Sequence, residues 1–210
     1  MRDINRSLPR DRQLRILLGD PPINWSEVRN ADDFRAWVLR RDSHPAELIQ
    51  REVLAKGRRA LVVYGDGHFQ ARSERPGRSL VGILETSGTK VFNVTSTFTD
   101  LSTFQPDVAK WILPGLAHLS GTRIGSAPYE QFFGPPPPVD FFKAHPRIED
   151  HFDAVLVLGT PSSIQLAPLT YPHCAEPDYM RMRLLRMKLA GMPDTASERL
   201  RNECAAAAPK

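Results

Sequence analysis

The feature that most constrains this chain is the unbroken apolar run Ala60-Leu61-Val62-Val63-Tyr64, which stops at Gly65-Asp66-Gly67-His68. A strand with one face in water alternates apolar and polar residues, whereas a run without alternation fits a parallel strand covered on both faces. The run therefore predicts a central strand of a parallel sheet. In open sheets of that kind, ligands gather outside the carboxyl ends of the strands. The segment from Gly65 to His68 is accordingly the first place to look for a site.

The flanking pattern extends this reading. Leu14, Ile16, Leu17 and Leu18 form a shorter apolar run closed by Gly19-Asp20-Pro21-Pro22, a strand and its breaker. Asn30 is a helix cap with Asp33 three residues on, so a helix is expected from Ala31. Its apolar stripe, Phe34, Trp37 and Val38, continues to Arg41. Ala46, Ile49, Val53 and Leu54 make a second stripe after a kink or restart at Pro45, and Gly57 ends it. A basic loop with Arg72, Arg75 and Arg78 leads into a helix over 79–86, Gly88 stops it, and 90–95 reads as the next strand. This order is that of an α/β fold, a mostly parallel sheet with helices on both faces.

Beyond Ser96 the periodicity dissolves into loops as far as 146, with the four prolines at 135–138 as an extended surface spacer. A strand returns over 154–158 and stops at Gly159. Two C-terminal helices follow: one over 178–190, ended by Gly191, and one from Thr195, whose Glu198 completes a capping box. The tail from Ala205 is expected to fray. The 210 residues thus read as a single α/β domain: a core unit over 13–95, a loop-rich segment over 96–150, and a last strand with the closing helices over 151–210.

Composition excludes more than it assigns. The formal charge of +4 comes from arginines scattered along the chain, which argues against a nucleic-acid surface. No apolar run approaches the roughly 18 residues of a membrane span, and the residues before Leu14 are polar, so a soluble, cytoplasmic protein is the default expectation. Cys174 and Cys204 lack the number of a disulfide scaffold and the spacing of a zinc site. Free thiols are expected in a reducing compartment; the alternative is one disulfide tying the segment at Pro172 to the last helix.

Candidate chemistry collects around His68. Glycines on both sides of Asp66 let the backbone turn sharply, so Gly65 and Gly67 permit close approach of a ligand. Asp66, His68, Arg41, Asp42 and His44 are expected to form one polar cluster, with Arg41 holding an anion and His68 serving as base or ligand. An inward-facing Arg41 needs an acidic partner, for which Asp66 is the nearest choice, and Arg41 and His68 should share one pocket. The plainer alternative is a tight turn with a hydrogen-bonded histidine. Three lesser candidates stand beside it. Gly159-Thr160-Pro161-Ser162-Ser163 follows a strand but lacks the lysine of a phosphate-binding loop. Arg181, Arg183, Arg186 and Lys188 read as the solvated side of an amphipathic helix. His145 and His151 read as surface residues.

Arg41-Asp42, the Ala46-Glu47-Leu48-Ile49 turn, the segment from Leu61 to His68 and a strand at Val91 together resemble the second half of the superfamily that contains the Tiki proteases, the haem-binding ChaN lipoproteins and the erythromycin esterases. The likeness covers about 33–95, under a third of the chain. It implies a hydrolase-like protein acting on a small-molecule or peptide ligand, with Arg41 and His68 at matching positions and Asp42 and Asp66 matching less closely. A divalent metal, with His68 as a ligand, or haem is implied as a bound group. The superfamily's first half carries Gly-x-x-His or Gly-Glu-x-His after its own first strand; here that strand ends in Gly19-Asp20-Pro21-Pro22. The resemblance therefore implies a short relative, or a piece without that half. The alternative is a non-catalytic haem- or metal-binding protein or a vestigial half-domain. An interaction module built on the proline run and the arginine-rich tail is a third class. Substrate and oligomeric state stay open.

Overall fold

The computed structural model describes residues 2–69, 79–97, 101–103, 108, 110–133, 147–163 and 171–207. Arg72, Arg75, Arg78, the proline run, His145 and the side chain of Asp66 lie outside the described residues. The helices are α1 (Arg2–Ser7), α2 (Ala31–Val38), α3 (Ser43–Glu52), α4 (Leu80–Thr86), α5 (Glu130–Phe133), α6 (Tyr171–Ala175), α7 (Pro177–Leu189) and α8 (Asp194–Ala206). The strands are β1 (Val94–Thr97), β2 (Gly115–His118) and β3 (Ala154–Val157), in the order β1-β3-β2. β1 runs parallel to β3, with Val94 opposite Ala154, and β2 runs antiparallel to it, with Gly115 opposite Val157. The fold is α/β with a small mixed sheet, rather than the mostly parallel sheet expected.

The sheet begins where a reciprocal lock sets its register. The Asn93 amide donates to Asp153 Oδ2 at 2.7 Å, the Asp153 amide donates to the Asn93 carbonyl at 2.8 Å, and the Asn93 side chain bonds the carbonyls of Phe69 and His151. Val155 and Val157 then point into a core with Leu101, Leu119, Ile124, Ile148 and Phe152. A second core lies between α3 and α4, where Ala46 and Ile49 meet Leu80 and Leu84. No helix among the described residues is long and apolar enough to cross a membrane.

Several expectations need correction. Residues 60–64 form no strand and pair with none among the described residues. Val62 and Tyr64 pack on the α3–α4 core, whereas Leu61 and Val63 are 93% and 86% exposed. The run is therefore covered on one face only. The run at 14–18 is likewise unpaired, with Ile16 and Leu18 exposed. Of the strands expected, those near Val91 and Ala154 are present, the first starting three residues later at Val94. The segment expected as loops holds β2 and α5.

Helix boundaries follow local chemistry. Asn30 does cap α2, its Oδ1 accepting from the amides of Asp32 and Asp33. The helix stops at Val38 and restarts at Ser43, so Arg41 sits on the connecting turn instead of on a helical stripe. Pro45 falls in the first turn of α3, where a missing backbone donor costs nothing. The expected capping box at Thr195 is absent, because α8 starts one residue earlier, after Pro193. His151 is buried beside Tyr129 and Phe152, not at the surface. Cys174 and Cys204 are joined in a disulfide, their Cα atoms 5.4 Å apart, which overturns the expectation of free thiols. The helical ends of α6 and α8 bring the two thiols to that distance, a closeness that a separation of 30 residues does not reveal.

Candidate functional site

The site is built from four short pieces of chain. The Gly19-Asp20 segment supplies Asp20, the turn between α2 and α3 supplies Arg41 and Asp42, the end of the apolar run at 60–64 supplies Tyr64, and one turn of 3-10 helix (Asp66–His68) supplies His68. Two hydrogen-bonded groups form there. In the first, Arg41 Nε donates to Asp20 Oδ1 at 2.9 Å, and the Tyr64 hydroxyl donates to the same oxygen. In the second, His68 Nδ1 lies 2.8 Å from Asp42 Oδ1, which also accepts the Leu80 amide at the start of α4 at 2.8 Å.

Tyr64 joins the two groups. The Arg41 guanidinium carbon lies 5.6 Å from its ring centroid, and the His68 ring centroid 4.2 Å from it. Arg41 is therefore no farther from the His68 ring than those two distances end to end. Arg41 and His68 thus lie near each other on either side of the Tyr64 ring, but His68 is not among the residues lining the cavity that Arg41 borders. The acidic partner of Arg41 is Asp20, however, and the partner of His68 is Asp42. His44 has no side-chain hydrogen bond among the described residues and stays outside the contact chain. Gly65 and Gly67 are not among the glycines with positive φ, so their conformational freedom is not used. Gly65 instead accepts the His68 amide at 3.0 Å, closing the turn that aims the ring.

Sequence reasoning missed Asp20 and Tyr64. The available signals were an acid one glycine after an apolar run and a phenol as the last residue of another, both at the edge where a ligand would be sought.

The electrostatics follow from these contacts. The Arg41 hydrogen bond, then that of Tyr64, hold the Asp20 carboxyl below its ordinary range. The same bond raises Arg41. Burial, reinforced by the neighbouring Asp20 carboxylate, pushes the Tyr64 phenol up to about 12. Arg41 and Asp20 are 41% and 59% exposed, so solvent screens their attraction. Asp42 and His68 are more enclosed, and Asp42 also faces the positive end of α4.

A hydrogen bond from Nδ1–H to a carboxylate fixes the imidazole tautomer and leaves Nε2 as the basic nitrogen. A metal does not fit the donors described. A site needs three or four protein ligands, and among the described residues no three His, Cys, Asp or Glu side chains converge. Asp20 and Arg41 also border a cavity of about 440 Å³, walled by α2 and α7. Arg183 and Arg186 line it, while Arg181 and Lys188 are exposed, so only half of that cationic set is the solvated face expected. Gly159-Thr160-Pro161-Ser162-Ser163 closes on itself, Ser163 Oγ donating to the Thr160 carbonyl at 2.7 Å. Comparison of the chain with protein-family models, with curated proteins and with solved structures finds no match.

Proposed function

We propose that this protein is a hydrolase-like enzyme of the Tiki, ChaN and erythromycin-esterase type, in which His68, oriented by Asp42, acts as a general base. The observation that carries the reading is the 2.8 Å contact between His68 Nδ1 and Asp42 Oδ1. Asp42 holds the imidazole with Nε2 available to take a proton from water as that water attacks a substrate carbonyl. Arg41, next to the same tyrosine ring, supplies positive charge to one side of the reacting group.

The test is hydrolysis of a panel of p-nitrophenyl esters by the purified protein. His68→Gln and Asp42→Asn should each lower turnover on the order of 100-fold, the usual worth of a positioned base. Wild-type turnover no higher than that of His68→Gln would sink the reading.

One observation favours a second reading, a ligand-binding site without turnover. Arg41 is already paired with Asp20, which reduces what it offers a developing oxyanion. If a haem were bound, His68, anchored through Nδ1 by Asp42, would be the residue to hold its iron. Titration with hemin, read as a Soret shift lost in His68→Ala, distinguishes this reading from the first.

A further inference from the structure

The cavity between α2 and α7 has a composition that selects a ligand. Its volume of about 440 Å³ falls within the roughly 300–1,000 Å³ of small-molecule sites. Its walls are Trp25, Phe34, Trp37, Tyr179, Met182 and Met187, with charged groups at only four lining positions. Trp25 and Phe34 are stacked with centroids 5.7 Å apart, giving a flat, rigid side. The methionines opposite are unbranched and adapt to the shape of a guest.

The four charges do not cancel. Asp20 is taken by Arg41 at 2.9 Å. Arg183 donates to the Tyr179 hydroxyl at 2.8 Å, and Arg186 lies 4.6 Å from the Trp25 ring centroid. Among the described residues neither has a carboxylate partner, and the Arg186 guanidinium has no hydrogen-bond acceptor at all. Aromatic walls commonly receive cations, but here the Trp25 and Tyr179 rings already carry the protein's own guanidiniums. A cationic guest would be repelled. A neutral apolar guest would leave the guanidinium donors of Arg186 half-buried and unanswered.

We infer that this cavity is a binding site for an amphipathic organic monoanion, a free carboxylate with an apolar body. The body packs on Trp25, Trp37 and the methionines, and the carboxylate is held by Arg186 with help from Arg183. A guanidinium suits this role because its planar fork can donate two parallel hydrogen bonds to one carboxylate. The inference needs no turnover at His68.

Two of the three tryptophans line the cavity, so intrinsic fluorescence reports its occupancy. The experiment titrates the full chain with sodium decanoate and, separately, with 1-decanol, which has the same body without the charge. Decanoate should give a saturable change and bind at least about tenfold tighter than decanol at low salt, the worth of one charge-assisted hydrogen bond. Arg186→Gln should remove most of that preference while leaving decanol affinity in place, and Arg186→Lys should keep part of it. His68→Gln should bind decanoate as the wild type does, which separates failure of this site from failure of the hydrolytic reading. If Arg186→Gln does not fold, Arg183→Gln and the loss of decanoate affinity alone on adding salt serve instead. Equal affinity for the two probes, no saturable change with either, or an undiminished preference in the folded arginine variants would overturn the inference.

Discussion

Tyr64 and Asp20 carry the clearest consequences at the scale of single residues. The folded-state value of Tyr64 lies above its ordinary 10.0, at about 12. The native state therefore holds that proton more tightly than the unfolded chain. The resulting stability is fully present below pH 10 and is lost as pH rises toward 12. Asp20 is shifted the other way: its contribution is present above 3.8 and disappears as pH falls through the lowered native value. Denaturant melts across pH should show both slopes in the wild type. Tyr64→Phe should lose the alkaline one and Asp20→Asn the acid one; an unchanged alkaline slope in Tyr64→Phe would contradict the hydroxyl's role. Two glycines make a contrasting pair. A Cβ at Gly125 would overlap the backbone carbonyl of Leu119, whereas a Cβ at Gly67 would meet nothing within 4 Å. Gly125→Ala should cost about 1–3 kcal/mol by overpacking, and Gly67→Ala should stay within about 0.5 kcal/mol. Equal effects in thermal melts would refute the packing described around Gly125.

At the scale of elements, the run at 60–64 shows what an apolar pattern can and cannot settle. Its composition implies two covered faces, and the structure covers only that of Val62 and Tyr64. Leu61→Ser should accordingly change stability by no more than about 0.5 kcal/mol. Leu84→Ala, in the core that Val62 packs against, should cost about 2–5 kcal/mol. A loss at Leu61 comparable to that at Leu84 would mean that the exposed face is covered in solution. The start of α2 was legible because Asn30 announced it, its side chain accepting amides in the first turn as residue chemistry requires; Ser79 caps α4 in the same way, a role not read from the sequence. β2 was not legible. Gly115-Leu116-Ala117-His118 has neither length nor β-branched residues, and its strand state comes from pairing with β3, a neighbour about forty residues away in sequence. The candidate site was half legible for the same reason. Arg41, Asp42 and His68 stand beside recognisable punctuation, but the assignment of Asp20 to Arg41 and Asp42 to His68 depends on how three short segments meet in space.

At the scale of the whole molecule, stability is unevenly distributed, and the disulfide lies where packing is thinnest. The sheet and the α3–α4 pair each have a buried cluster. By contrast α7 has no fully buried residue, and α8 has only Leu200 and Cys204. Apolar burial alone holds these two helices weakly. The Cys174–Cys204 bond closes a loop of 30 residues that contains all of α7. In the chain-entropy account, a cross-link over a loop of this size stabilises by roughly 3.6 kcal/mol. Its effect should be local, because the bond spans neither buried cluster. Peptide mapping without reduction should recover Cys174 and Cys204 joined. Reduction, or Cys174→Ser, should then speed hydrogen exchange throughout 177–206 while β1 and β3 keep their protection. As α7 forms one wall of the cavity that borders Asp20 and Arg41, the same treatment should weaken decanoate binding before any loss of the sheet's circular dichroism. Uniform deprotection of sheet and C-terminal helices together would show instead that the disulfide supports the whole fold, and unchanged exchange in 177–206 would show that the helices need no such tie.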